Sequence, residues 1–145
     1  MKPDDSPAEA DTSLAWLEYL AGNAPAAEMQ FQRALYLDPG YANAHYWYAM
    51  FLNDAGRSPQ AEVEFSRAQE AAPLSVPIRC NAAMYCFRVR RYNEALDLLK
   101  RTIELDGSSP FVHGSLGAVY SCLGNHRESA AEFQKAAQLS GVISN

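Results

Sequence analysis

The sequence predicts an all-α solenoid of four helix-turn-helix units, eight helices in all. Three observations carry that prediction. One phrase returns four times: AAEMQFQRALYLDP at Ala26 to Pro39, QAEVEFSRAQEAAP at Gln60 to Pro73, EALDLLKRTIELDG at Glu94 to Gly107, and SAAEFQKAAQLSG at Ser129 to Gly141. Its period is strict, since Ala27, Ala61, Ala95 and Ser129 fall 34 residues apart, as do Phe31, Phe65, Leu99 and Phe133, and then Ala34, Ala68, Thr102 and Ala136. Proline or glycine closes each copy, at Pro39, Pro73, Gly107 and Gly141. A fixed period of this length is the signature of stacked repeats, each too small to bury its own apolar face.

The chain opens with a tail, Met1 to Asp5. Ser6-Pro7-Ala8-Glu9 then starts a helix, with Ser6 as N-cap, Pro7 at the first helical position and Glu9 returning the cap. Leu14, Leu17 and Leu20, with Trp16 between them, carry it to about Ala21. Gly22-Asn23-Ala24 breaks it, and Pro25 opens a second helix that ends at Asp38-Pro39-Gly40. The second unit repeats the plan. Its helix A runs from about Tyr41 to Ala55, Gly56-Arg57 turns the chain, Ser58 caps and Pro59 starts helix B. Pro73 stops that helix, because proline lacks the donor and clashes with the preceding turn.

In the third unit Ser75 caps a helix that continues to about Val89, and helix B runs from Tyr92 to Leu105. Arg90 stands where the other units have Gly22, Gly56 and Gly124. That place favours a positive φ, so an arginine there is expected to alter the turn slightly, at about 1 kcal/mol. In the fourth unit Ser109-Pro110 starts helix A, Gly124 turns it, and Asn125-His126-Arg127-Glu128 has capping-box spacing for helix B. The expected division is residues 1–7 as tail and cap, then units at 8–41, 42–75, 76–109 and 110–143, one continuous solenoid.

Composition narrows the function. Apolar content of 48% with 20% charged residues is that of a folded chain. A net charge of -5 repels a phosphate backbone, so no nucleic-acid partner is expected. No apolar run approaches the roughly 20 residues needed to cross a bilayer, and the acidic start has no apolar signal core, so no membrane insertion is expected. Cys80, Cys86 and Cys122 are an odd number without metal-ligand spacing, which fits reduced thiols and a cytoplasmic location.

No residue set nominates itself for catalysis. There is no nucleophile beside a base, no paired carboxylates and no glycine-rich phosphate loop, so the chain is expected not to be an enzyme and to need no cofactor. His45 and His113 occupy equivalent places in two helices A and are assigned to packing. His126 lies at the fourth unit's turn and is expected to be solvated. Cys80 and Cys86 point to different faces of one helix, so no zinc site is expected.

The small, aromatic, small and proline pattern of the four copies resembles the tetratricopeptide repeat (TPR) family, over roughly Ala8 to Ile143. The resemblance implies a right-handed superhelix with helices A on the concave face and helices B on the convex one. The first unit departs most, since Asp11 and Glu18 stand where the family has large apolar residues, and there they act as a polar cap. The last unit shows no polar capping helix after Ala130, Phe133, Ala136, Ala137 and Leu139, so this end is expected to be partly exposed, continued by further chain or covered by another molecule. The phrases AHYWYAMFL, RAQEAAPLS, RRYNEAL and EFQKAAQLSG are similar, more loosely, to the TPR region of bacterial winged-helix regulators and related signalling proteins. On that resemblance the chain would be a detached module or a small relative of such a bacterial regulator.

The resemblance also assigns the groove-facing positions. They hold Trp16 and Tyr19 in the first unit, Tyr46, Trp47, Met50 and Asn53 in the second, and Asn81, Met84, Phe87 and Arg88 in the third. The fourth unit offers small residues. Rigid aromatics serve as binding hot spots, methionine adapts to shape, and Asn53, Asn81 and Arg88 can hydrogen-bond a peptide. The plainer alternative is that several of these rings fill the interhelical core. The lysine, asparagine and arginine set with which some TPR proteins clamp chaperone tails is missing, since those positions hold Thr12, Trp16, Trp47, Pro77 and Asn81. The expected function is therefore a protein-interaction module whose groove takes an apolar peptide or helix of a protein partner. The rival is self-association through the C-terminal repeat.

Overall fold

The computed structural model describes residues 6–71 and 76–141, apart from the side chain of residue 77. The expected tail, the stop at Pro73 and the cap at Ser75 lie outside the described residues. Eight α-helices follow in the order α1 (Pro7–Leu20), α2 (Ala24–Leu37), α3 (Ala42–Asp54), α4 (Ser58–Ala71), α5 (Val76–Arg88), α6 (Tyr92–Leu105), α7 (Pro110–Cys122) and α8 (His126–Leu139). No strand occurs among the described residues. The chain divides into two compact units, Met1–Pro73 with α1 to α4 and Leu74–Asn145 with α5 to α8.

In the first unit α1 packs on α2 and α3 on α4, while α3 also covers α1 and α2. Small residues make the close approach: Ala8, Ala34 and Ala44 are all buried together, with Leu35 and Tyr41 against them. Phe31 is buried between Tyr48 and Phe51 of α3, with ring centroids 5.4 and 5.8 Å away. The polar residues of the first repeat are held locally. Asp11 pairs with Arg33 at 3.3 Å, and Glu18 accepts from Asn23 Nδ2 at 2.8 Å.

In the second unit α5 packs on α6, α6 on α7 and α7 on α8. Ala95, Leu99 and Thr102 are buried along α6, and the Thr102 hydroxyl donates to the Leu98 carbonyl at 2.7 Å. The α7–α8 contact turns on Gly117. A Cβ there would meet the Phe133 ring at 2.9 Å, and Ser129 Oγ donates to the Gly117 carbonyl at 2.8 Å.

The caps follow the sequence in part. Ser6 accepts from the Glu9 amide at 3.1 Å and Ser109 from the Val112 amide at 3.3 Å, each with proline inside the first turn. Ser58 is the first residue of α4, not its cap. The expected capping box at Asn125 does not form: its φ of -87° and ψ of 72° leave the side chain without a cap hydrogen bond.

The third turn also departs from expectation. Arg90 takes a φ of 66°, beside 83°, 77° and 79° at Gly22, Gly56 and Gly124, so the turn is not altered. Its amide reaches the Phe87 carbonyl at 3.1 Å and the Arg91 amide reaches Cys86 at 2.8 Å, as Gly56 reaches Asn53 at 3.0 Å and Arg57 reaches Leu52 at 2.8 Å. Two hydrogen bonds closing the helix end outweigh the strain of one side chain in the left-handed region.

Candidate functional site

Within each compact unit the two helices A face one another along their apolar stripes. Between α1 and α3 the place is filled with rings. Trp16 lies 5.5 Å from Trp47 and 5.4 Å from Tyr19, and Tyr19 meets Phe51 edge-on at 5.4 Å. The Tyr19 hydroxyl donates to Asp54. Trp16, Tyr19, Trp47 and Asn53 are half-buried and keep surface to offer. Tyr46 and Met50 are 2% and 1% exposed. They are core residues and offer no groove surface, and Tyr46 packs 5.8 Å from Phe65 in the α3–α4 core.

The corresponding place between α5 and α7 is hollow. A cleft of about 180 Å³ is lined by Cys80, Ala83, Met84 and Phe87 from α5, Leu99 from α6, and Phe111, Ser115, Ala118 and Val119 from α7. Its wall is almost wholly apolar. The cause is a difference in volume at matching positions. Two periods separate Trp47 from Ser115 and Met50 from Ala118, so a serine and an alanine stand where the first unit has an indole and a thioether. Met84 and Phe87, the counterparts of Trp16 and Tyr19, remain as the wall. Phe111 leaves 53% of its surface exposed at the rim. Burial raises the Cys80 thiol above its usual value and keeps it in the unreactive protonated form.

Of the expected site residues, Met84 and Phe87 line this cleft, while Asn81 is half-buried and Arg88 exposed outside its lining. Phe111, Ser115 and Ala118 belong to the fourth unit, whose groove-facing positions are expected to offer mainly small residues. Their signal was smallness opposite a methionine and a phenylalanine, which becomes visible only when repeats are compared position by position.

Two polar clusters accompany these places. His45 Nδ1 lies 2.6 Å from Glu64 Oε2, and its Nε2 lies 2.7 Å from the Pro39 carbonyl. Both partners only accept, so both ring nitrogens donate and the geometry is that of the imidazolium. Burial opposes that charge, but the Glu64 carboxylate and the Pro39 carbonyl outweigh it and raise His45 above its ordinary value. Glu64 also accepts from Arg67 at 3.1 Å. His113 repeats the arrangement, 2.6 Å from Glu132 Oε2 and 3.0 Å from the Gly107 carbonyl. Both rings are buried, as packing requires, yet each also ties a loop to a helix B. His126 is exposed as expected.

The second cluster joins α2 to α3. Tyr48 donates to Glu28 at 2.7 Å, and Arg57 donates to the same carboxylate at 2.9 Å. The Arg57 hydrogen bond holds Glu28 below its usual range, and burial with the Glu28 contact pushes Tyr48 up to about 12. Among the described residues no group of three histidine, cysteine, aspartate or glutamate side chains is placed to hold a metal ion. No helix there is long and apolar enough to cross a membrane.

Paired helices repeated at a fixed period, with an apolar cleft between α5 and α7, define an α-helical repeat protein. Residues 18–78 match the profile of the tetratricopeptide repeat family. The fold agrees with an all-α tetratricopeptide repeat solenoid of four helix-turn-helix units over nearly the whole chain. Over 110 residues it is 30% identical to anaphase-promoting complex subunit 3 of Schizosaccharomyces pombe, which covers 75% of this chain and 16% of that protein. The structure of Pseudomonas aeruginosa PilF is similar with a TM-score of 0.77 and 23% identity, over 93% of this chain and 62% of that one. A MamA structure is similar with a TM-score of 0.67 and 18% identity, over 97% and 82% of the two chains. YrrB, a TPR protein with an unusual peptide-binding site, is similar with a TM-score of 0.60 and 19% identity, over 89% and 66%.

Proposed function

We infer that this chain is a non-catalytic interaction module, and that it holds an apolar peptide or amphipathic helix of a protein partner with one large side chain seated between α5 and α7. The observation that carries this reading is the hollow left by Ser115 and Ala118. At about 180 Å³ it lies below the roughly 300–1,000 Å³ of small-molecule sites. That size suits a single apolar side chain of a larger partner, seated in a desolvated pocket as hot-spot residues are. Met84 can adapt to the shape of the anchor, and Phe87 and Phe111 supply rigid faces. Asn81 and Arg88 add polar groups on the same helix. In the first unit Trp16, Tyr19 and Trp47 offer a rigid aromatic surface, with Asn53 on the same helix as Trp47, while Tyr46 and Met50 are buried in the core. The three free cysteines fit a reducing, cytoplasmic location.

Panning a displayed random-peptide library against the protein tests the reading. Enriched peptides should share a large apolar residue and lose binding to a Ser115→Trp, Ala118→Met variant, which restores the filling of the first unit. No enrichment, or equal binding to both proteins, would overturn it.

A further inference from the structure

The repeat register points to a second interaction surface, away from the α5–α7 cleft. In three copies of the recurring phrase the large apolar residue, Phe31, Phe65 or Leu99, is buried. In the fourth it is not. Phe133 packs one face on Gly117 and leaves 48% of its surface exposed, and Ala130 beside it is exposed too. What covers Phe31 is known in detail: Tyr48 and Phe51 of α3. The positions of α1 that match them are Leu14 and Leu17, which are 42% and 63% exposed. Ala10, which matches the buried Ala44, is exposed on the same stripe. Among the described residues, α8 thus presents an apolar face that no helix covers, and α1 presents a covering stripe that meets no such face.

The polar positions change together in a way that suits this match. At the α2–α3 junction Glu28 is held by Tyr48 and Arg57. Ala130 takes the place of Glu28 on α8, while Leu14 and Asn23 take the places of Tyr48 and Arg57 at the start of the chain. Laying α1 on α8 in the same register would therefore bury no carboxylate without its cation and no hydroxyl without its acceptor. The α6–α7 junction already uses an uncharged set at these positions, Leu96, Leu116 and Asn125.

We propose that the chain self-associates head to tail, with α1 of a second copy covering α8 through Leu14 and Leu17 on Phe133 and Ala130. Such a contact is heterologous, so it extends to chains or closes into rings, and one helix-on-helix face of this size binds weakly.

Light scattering after size exclusion, from about 1 mM protein downward, reads it. The mass should rise above the monomer at high concentration. Leu17→Asp and Ala130→Asp alter exposed residues, so each should keep the helical circular dichroism and remain a monomer alone. Mixed, they should form a complex of twice the monomer mass, because one supplies an intact α8 and the other an intact α1. A chain that stays monomeric throughout would overturn the proposal. So would self-association of Leu17→Asp alone, which would mean a tail-to-tail contact.

Discussion

His45 and Glu64, nineteen residues apart, are joined at 2.6 Å across the α3–α4 pair, and the ring's other nitrogen holds the Pro39 carbonyl. The folded state therefore favours the protonated ring over the unfolded chain, where histidine titrates near 6.5. A raised folded value means that the clamp's contribution is full below about pH 6.5 and fades as pH rises through that raised value. His45→Gln should cost about 1–3 kcal/mol in acid. Above the window the two proteins should converge. Thermal unfolding of both across a pH series checks this, and a pH-independent gap between them would contradict it.

Arg90 is the one described non-glycine residue with a positive φ. Arg90→Gly should stabilise the protein by up to about 1 kcal/mol, less what glycine loses by loosening the unfolded chain. Gly56→Arg should cost about 1 kcal/mol by the same argument. Urea midpoints at unchanged slope would report both.

At Gly117 a methyl group would strike the Phe133 ring. Gly117→Ala gains helix propensity of about 1 kcal/mol but forces the ring off α7, for a net loss of about 1 kcal/mol. Fluorescent-dye binding to exposed apolar surface should rise with the loss, since Phe133 is the residue displaced.

Ala118→Met puts a side chain into the α5–α7 cleft. Filling it should stabilise the protein by about 0.5–2 kcal/mol. The same change should weaken the protein's uptake of toluene, an analogue of a phenylalanine side chain, as followed by shifts of the Met84 methyl resonance. Higher stability with undiminished toluene binding would place the binding elsewhere.

Much of the fold was legible because the repeat period reports on every element at once. Helix B of the third unit, Tyr92–Leu105, was read to the residue. The turn at Arg90 was misread because residue preference was weighed without the two backbone hydrogen bonds that fix the turn. His45 and His113 were read as packing because their partners, Glu64 and Glu132, lie on another helix, and no spacing along one helix links them. The candidate site was half legible. Aromatic residues announce themselves in a sequence, but Ser115 and Ala118 act by what they leave empty. Tyr46 and Met50 stand near Trp47 in the sequence, and only packing separates core from surface.

The hollow between α5 and α7 also has a cost measured in time rather than affinity. Leu99, Met84 and Val119 border an open cleft where Phe31, Trp16 and Phe51 meet aromatic rings, so the backbone amides of α5 and α7 should exchange with solvent sooner than those of α1 and α3. A partner's side chain in that space becomes a piece of core supplied from outside, and slower exchange in α5 and α7 is the trace it should leave.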